Sequence, residues 1–138
     1  MPIMVRIKKQ TYDQAIEKLN QLSTCNARNY VWDYITAQPT LYFVHRGSQS
    51  CSVPWILFEE DQPTAMIFTN YERAIRAATS CLEQSQQIRI IGLPTNATSM
   101  YINALAGQGV CRACFNHGPQ RFDAYMDEVL LAIKSLHR

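Results

Sequence analysis

Cys111 and Cys114, with Asn116 and His117 close behind, make the stretch of this sequence densest in side chains that can do chemistry. A Cys-x-x-Cys pair can exchange disulfides or supply half of a zinc site, and an imidazole beside it can move protons or bind metal. Redox use calls for a helix N-terminus, whose dipole lowers a thiol pKa. Here Val110-Cys111-Arg112-Ala113-Cys114-Phe115 reads as a strand, and helix signals begin only after it, near Pro119. On a strand the two thiols face opposite sides with Cα atoms about 10 Å apart, beyond the roughly 7 Å that a disulfide spans. A structural zinc needs four converging ligands. Cys111, Cys114 and His117 offer three, and the other histidines, His45 and His137, stand alone in the sequence. The pair is expected to be two small hydrophobes on a buried strand, with no metal and no cofactor.

Ile91-Gly92-Leu93-Pro94-Thr95-Asn96-Ala97-Thr98-Ser99 joins a strand to a helix N-terminus. Free backbone N–H groups there can hold an anion, and Thr95, Asn96 and Thr98 add donors. The stretch has neither a Gly-x-Gly-x-x-Gly nor a Walker lysine, so no nucleotide loop is indicated, and Thr95 or Asn96 is expected to cap the helix. Asn116-His117-Gly118-Pro119 ends a neighbouring strand and would share that rim, with Asn116 and Gly118 as turn residues and Pro119 opening a helix. An imidazole can act as acid or base at neutral pH, but no carboxylate or nucleophile stands at a fixed spacing from His117, so no catalytic residue is assigned. Arg112, a charge inside an apolar strand, needs a carboxylate or a bound anion. Thr95, Asn96, Thr98, Arg112, Asn116 and His117 are thus the candidate ligand-binding residues. Trp32 and Tyr34 are the candidate interaction residues, because a helix with apolar residues on more than one side would turn Trp32 outward, where such residues anchor protein contacts.

The elements that must position these groups are legible as periodicities. Thr11 with Gln14 is a capping box opening a helix over about 12–22, with Tyr12, Ala15, Ile16, Leu19 and Leu22 at helical spacing. A second short helix carries Tyr30, Val31, Tyr34 and Ile35 and stops before Pro39. Leu41-Tyr42-Phe43-Val44-His45 is a strand, and the run from Val53 to Glu60 pairs with Thr64-Ala65-Met66-Ile67-Phe68 as a hairpin around an acidic turn. Thr69 and Glu72 read as a second capping box, for a helix burying Tyr71, Ala74, Ile75, Ala78, Cys81 and Leu82. Then come a strand over 88–91, a helix over about 97–106 ended by Gly107, the Cys-x-x-Cys strand, and a last helix from Pro119 or Gln120 with Phe122, Tyr125, Met126, Val129, Leu130 and Ile133 inside. The expectation is an α/β fold, a single-domain mixed sheet over residues 1–138 with βαβ units in the C-terminal half and one or two N-terminal helices.

Bulk properties narrow the functional classes. With 138 residues, 47% of them hydrophobic and 17% charged, the chain can bury a core without disulfides or metal. No apolar run approaches the roughly 20 residues that span a bilayer, and Met-Pro-Ile-Met-Val-Arg-Ile-Lys-Lys at the start is too short and too charged for a signal peptide. A formal net charge of +2 gives no electrostatic case for nucleic acid. Five scattered cysteines, an odd number, argue against a secreted disulfide scaffold and for a reducing cytoplasm.

In that order of elements, the chain resembles the N-terminal domain of the SseB (enhanced serine sensitivity) family. The resemblance rests on Leu41-Tyr42-Phe43-Val44, on Phe68-Thr69 leading into Glu72-Arg73-Ala74, and on Gly109-Val110 running to Asn116-His117-Gly118. His117 stands where the family pattern has proline, and the proline after the first strand is absent. The resemblance implies a fold and does not suggest an enzyme. The functional expectation is a non-enzymatic cytoplasmic domain that binds a protein partner or itself, with small-anion or metabolite binding at the strand–turn–helix rim as the alternative. Neither nucleic acid nor membrane is expected as a partner.

Overall fold

A computed structural model describes residues 11–48, 51–82 and 87–134. The N-terminal stretch weighed as a signal peptide, Gln49 and Ser50 of the loop after Gly47, and His137 lie outside them. Helix α1 (Tyr12–Leu22) opens with the Thr11–Gln14 capping box, both reciprocal bonds formed, and ends at Ser23 in the left-handed region. Helix α2 (Cys25–Thr36) starts at once, because the Thr24 hydroxyl accepts the Ala27 N–H. It therefore begins earlier than its apolar spacing indicates. There follow β1 (Thr40–Arg46), β2 (Val53–Pro54), β3 (Ile56–Glu59), β4 (Gln62–Phe68), α3 (Tyr71–Cys81), β5 (Ile88–Pro94), α4 (Thr95–Gly107), β6 (Arg112–Phe115), β7 (Phe122–Tyr125) and α5 (Met126–Lys134). None of the described helices is long and apolar enough to cross a membrane.

The strands form one mixed sheet, and the α/β single-domain class expected from the sequence is what the chain adopts. Antiparallel β5 occupies one edge of β1 along its length, Thr40 opposite Pro94 through Arg46 opposite Ile88. The other edge of β1 is shared: Tyr42 and Phe43 pair with the end of β4, His45 and Arg46 with β2. Likewise β4 gives one edge to parallel β6 and divides the other between β3 and β1. The β2–β3 segment, interrupted at Trp55, is therefore a wedge between β1 and β4 as these diverge. Its hairpin to β4 is closed by Glu60 and Asp61, both left-handed at φ 51° and 62°, the pattern of a two-residue type I′ turn. Helices α3 and α4 each connect parallel strands, but the units are not adjacent pairs: β1 lies between β4 and β5, and β1 and β4 lie between β5 and β6.

Strict alternation divides the core between the two faces of the sheet. Leu41, Phe43, Ile67, Ala113 and Phe115 point toward α1, α2, α4 and α5, whereas Val44, Met66, Phe68 and Cys114 point toward α3. Helix α3 buries only Ala74, Ala77 and Ala78; Tyr71, Ile75 and Cys81, expected inside, are exposed. A face of alanines lets the helix lie close to the strands, so the larger residues flank it.

Two expectations are overturned around Phe122. The segment Phe122–Tyr125 is a strand pairing antiparallel with β6, and the last helix begins only at Met126. Phe122 and Ala124 alternate inward while Asp123 and Tyr125 alternate outward, a two-residue period that the apolar content masks. Trp32, expected at the surface, is buried. Its ring meets Phe115 and Phe122 edge-on at 5.5 and 5.2 Å, and its Nε1–H donates to Glu128 at 2.7 Å. Arg28 makes two further 2.7 Å bonds to that carboxylate and holds its pKa below the usual range, with the Trp32 bond adding to the effect. Removing the indole leaves a large void and strips a half-buried carboxylate of a donor. Trp32→Ala is expected to cost about 3–5 kcal/mol, measured as a lower urea midpoint. A variant as stable as the parent would place the ring at the surface after all.

Candidate functional site

Asn116 follows β6 with its backbone at φ 54°, a left-handed conformation that asparagine tolerates better than most residues. Its N–H donates to the Ile67 carbonyl at 2.8 Å, extending the parallel β4–β6 ladder by one step. Its side chain repeats the pairing: Oδ1 accepts the Thr69 N–H and Nδ2 donates to Thr69 Oγ1, both at 2.9 Å. Both residues are buried, so these bonds satisfy groups that water does not reach. The capping box expected from Thr69 and Glu72 is therefore not made. Thr69 is turned inward, and Asn70 caps α3 by accepting the Arg73 N–H at 2.8 Å.

Past this clamp the two chains part. The chain leaving β4 turns into α3 over one face of the sheet, and the chain leaving β6 runs through Gly118, at φ 139°, toward β7. A crevice of about 670 Å³ opens between them. Arg73 and Arg76 line one wall, His117 to Gln120 the other, and Asp13 and Glu72 add carboxylates. Arg73 is held at 2.9 Å by Asp13 and lies 5.1 Å from the Tyr12 ring. The Tyr12 hydroxyl donates to the Gln120 carbonyl at 2.7 Å, and burial pushes its pKa upward, keeping it a donor. Arg76, a turn further along α3, is exposed and has no partner among the described residues. His117 is half-buried, its ring 6.3 Å from that of Trp55.

The sequence candidates fall in four separate places. Asn116 and His117 line the crevice. Thr95, Asn96 and Thr98 lie at the end of β5, three strand spacings from β6 and so about 14 Å across the sheet. The cap of α4 is Pro94, with no side-chain bond; Asn96 folds onto the Ala97 N–H, and Thr98, buried, donates to the Leu93 carbonyl at 3.1 Å. Thr95 and Thr98 also border a small recess of about 10 Å³, no larger than one water. Arg112 begins β6, about 13 Å from Asn116 along the chain, and reaches the β3–β4 turn, Gln62 at 3.4 Å and Glu60 at 3.9 Å, with Tyr125 below it. The single rim expected from sequence is not formed. Tyr34 is half-buried against Tyr12, ring centroids 5.7 Å apart. Cys114 is buried on the α3 side, its thiol pKa raised by burial, while Cys111 precedes β6 with its sulfur 3.8 Å from the Pro63 carbonyl. Among the described residues no three His, Cys, Asp or Glu side chains gather as metal ligands.

One polar chain escapes sequence reading because its members come from distant elements. His45 Nε2 lies 2.7 Å from the Tyr101 hydroxyl on α4, and Nδ1 lies 3.4 Å from Ser52. Burial, helped by Arg89 across the strand pair, lowers the His45 pKa, and burial raises that of Tyr101 to about 12. No known family model matches the chain, and no curated protein is significantly similar to it.

Asn116→Ala removes both side-chain bonds and strains a left-handed backbone. The expected loss is about 2–4 kcal/mol in urea unfolding, and Asn116→Gly, free of the strain, recovers part of it. For His45 the folded pKa lies below the unfolded one, so its contribution is full above about pH 6.5 and fades as pH falls. Melting temperature is expected to drop between pH 7 and 5.5, before Glu59 and Glu128, also lowered by their arginine partners, begin to protonate. His45→Gln should flatten that segment of the profile; a slope unchanged in the variant assigns it to another group.

Proposed function

We propose that the protein is a non-enzymatic binding domain of a reducing cytoplasm, holding a small carboxylate- or phosphate-bearing metabolite between α3 and the turn at 116–120. The position of the crevice carries this reading. It opens at the carboxyl ends of β4 and β6, the one adjacent parallel pair in the described sheet, where the following segments diverge. Open α/β sheets take their ligands at such points. Arg76 supplies an uncommitted positive charge, Arg73 one already balanced by Asp13, and His117 a polar group on the facing wall. Thr95, Asn96, Thr98 and Arg112 have no part in this site. The odd number and scattered placing of the five cysteines support the reducing compartment. Kinship with the SseB domain, proposed on the short motifs around Leu41, Phe68 and Asn116, accords with binding rather than turnover.

Differential scanning fluorimetry against phosphate, citrate, sugar phosphates and amino acids tests the assignment. A ligand at a hundred times its Kd adds about 2.7 kcal/mol, a shift of several degrees in a domain of this size. Arg76→Ala is expected to abolish the shift while leaving the ligand-free melt unchanged, since the exposed Arg76 makes no hydrogen bond or ion pair with a described residue. If no anion in the panel moves the wild-type melt, the metabolite reading fails.

A further inference from the structure

The two outer strands of the sheet end it very differently. β7 is a short edge, and its Asp123 is bonded to Arg121, which also clamps Glu59. Short strands and charges of this kind protect an edge from pairing. β5 has seven residues, Ile88-Arg89-Ile90-Ile91-Gly92-Leu93-Pro94, one charge among them, and no described strand on its outer side. Such an edge exposes a row of backbone donors and acceptors to any strand of matching length.

Three further observations bear on what pairs there. Ile88 and Ile90 pack against the core on the α3 side and Leu93 against the core on the other, but Ile91 belongs to neither cluster and is only half-buried. Tyr71 and Ile75, on the flank of α3 away from the crevice, are 52% and 39% exposed. Tyr71 meets Tyr42 edge-on at 6.3 Å, and the Tyr42 ring lies over Gly92, where an added Cβ would approach it to 3.0 Å. The backbone edge, unpaired among the described strands, thus lies close to the exposed Tyr71 ring.

We propose that β5 is a self-association edge whose occupant is β5 of a second copy, joined antiparallel about a two-fold axis to make one continuous sheet. A register centred on Ile91 sets Ile91 against its own copy and Arg89 against Leu93, so the strand's single charge never faces itself. Two-fold symmetry makes the contact isologous and closed, which turns an aggregation-prone edge into a defined dimer. A partner presenting a basic edge strand would meet Arg89 less favourably.

Light scattering coupled to size exclusion reads the mass of the full chain directly. The wild type is expected to be a dimer whose melting temperature rises with protein concentration, and Ile91→Lys a folded monomer of half that mass whose melting temperature does not, since a charge on an edge strand opposes pairing. Hydrogen exchange gives the second readout: those amides within Arg89–Leu93 that point away from β1 gain protection with protein concentration in the wild type and not in the variant. A wild type that stays monomeric overturns the proposal, and if the outward amides of its Arg89–Leu93 are already protected the edge belongs to a segment of the chain itself. A dimer that survives Ile91→Lys overturns it in favour of another surface.

Discussion

The amide of Asn116 pairing with Thr69 is the constraint on which this architecture turns. Two parallel strands that end side by side leave N–H and C=O groups facing each other with no strand to continue them. In a buried position each unpaired group costs about 1–3 kcal/mol. A side-chain amide, carrying one donor and one acceptor in a plane, replaces the missing peptide on both counts. Because the replacement is a side chain, the backbones are free to diverge beyond it, one into α3 and the other toward β7. The crevice exists because the sheet is closed at that point without being extended.

The alanine face of α3 has the complementary effect. By packing Ala74, Ala77 and Ala78 against the strands, the helix lies low over them and turns its longer residues to either flank. One flank gives Arg73 and Arg76 to the crevice; the other exposes Tyr71 and Ile75, with Tyr71 against the Tyr42 ring that covers Gly92 of β5. A helix with leucines in those places would stand higher, as the spacing of packed elements follows the side chains at the contact. The same small residues thus shape both the crevice wall and the surface beside β5.

How much of this was legible in the sequence depended on whether the determining contact was local. The Thr11–Gln14 box, the acidic hairpin turn and the α/β class rest on residues a few positions apart, and each was read correctly. Trp32 was misplaced because its partners, Phe115, Phe122 and Glu128, come from the far end of the chain. Phe122–Tyr125 reads as helix in the sequence because apolar residues before Met126 fit both periods, and only the pairing with β6 decides between them. Thr69 reads as a cap in the sequence because its competitor for hydrogen bonds, Asn116, lies 47 positions away. The candidate rim failed for a related reason: sequence order gives strand ends but not strand order, so Thr95 and Asn116 were joined although two strands separate theirs. Asn116 and His117 were singled out for their turn chemistry, which also sets them at the mouth of the crevice.

The wedge that β2 and β3 drive between β1 and β4 bears on how the chain is made. β1 is the third element synthesised, yet its strand partners all come later, and β5, which covers its whole edge, is complete only at Pro94. At typical synthesis rates of 5–20 residues per second, Leu41, Phe43 and Val44 remain without that neighbour for roughly 2–10 s after they leave the ribosome. During that interval the nascent chain holds a helical pair, α1 with α2, and then a local hairpin, β3 with β4, on either side of an aromatic strand awaiting cover. Such long-range closure slows folding and leaves apolar strand surface uncovered until β5 arrives.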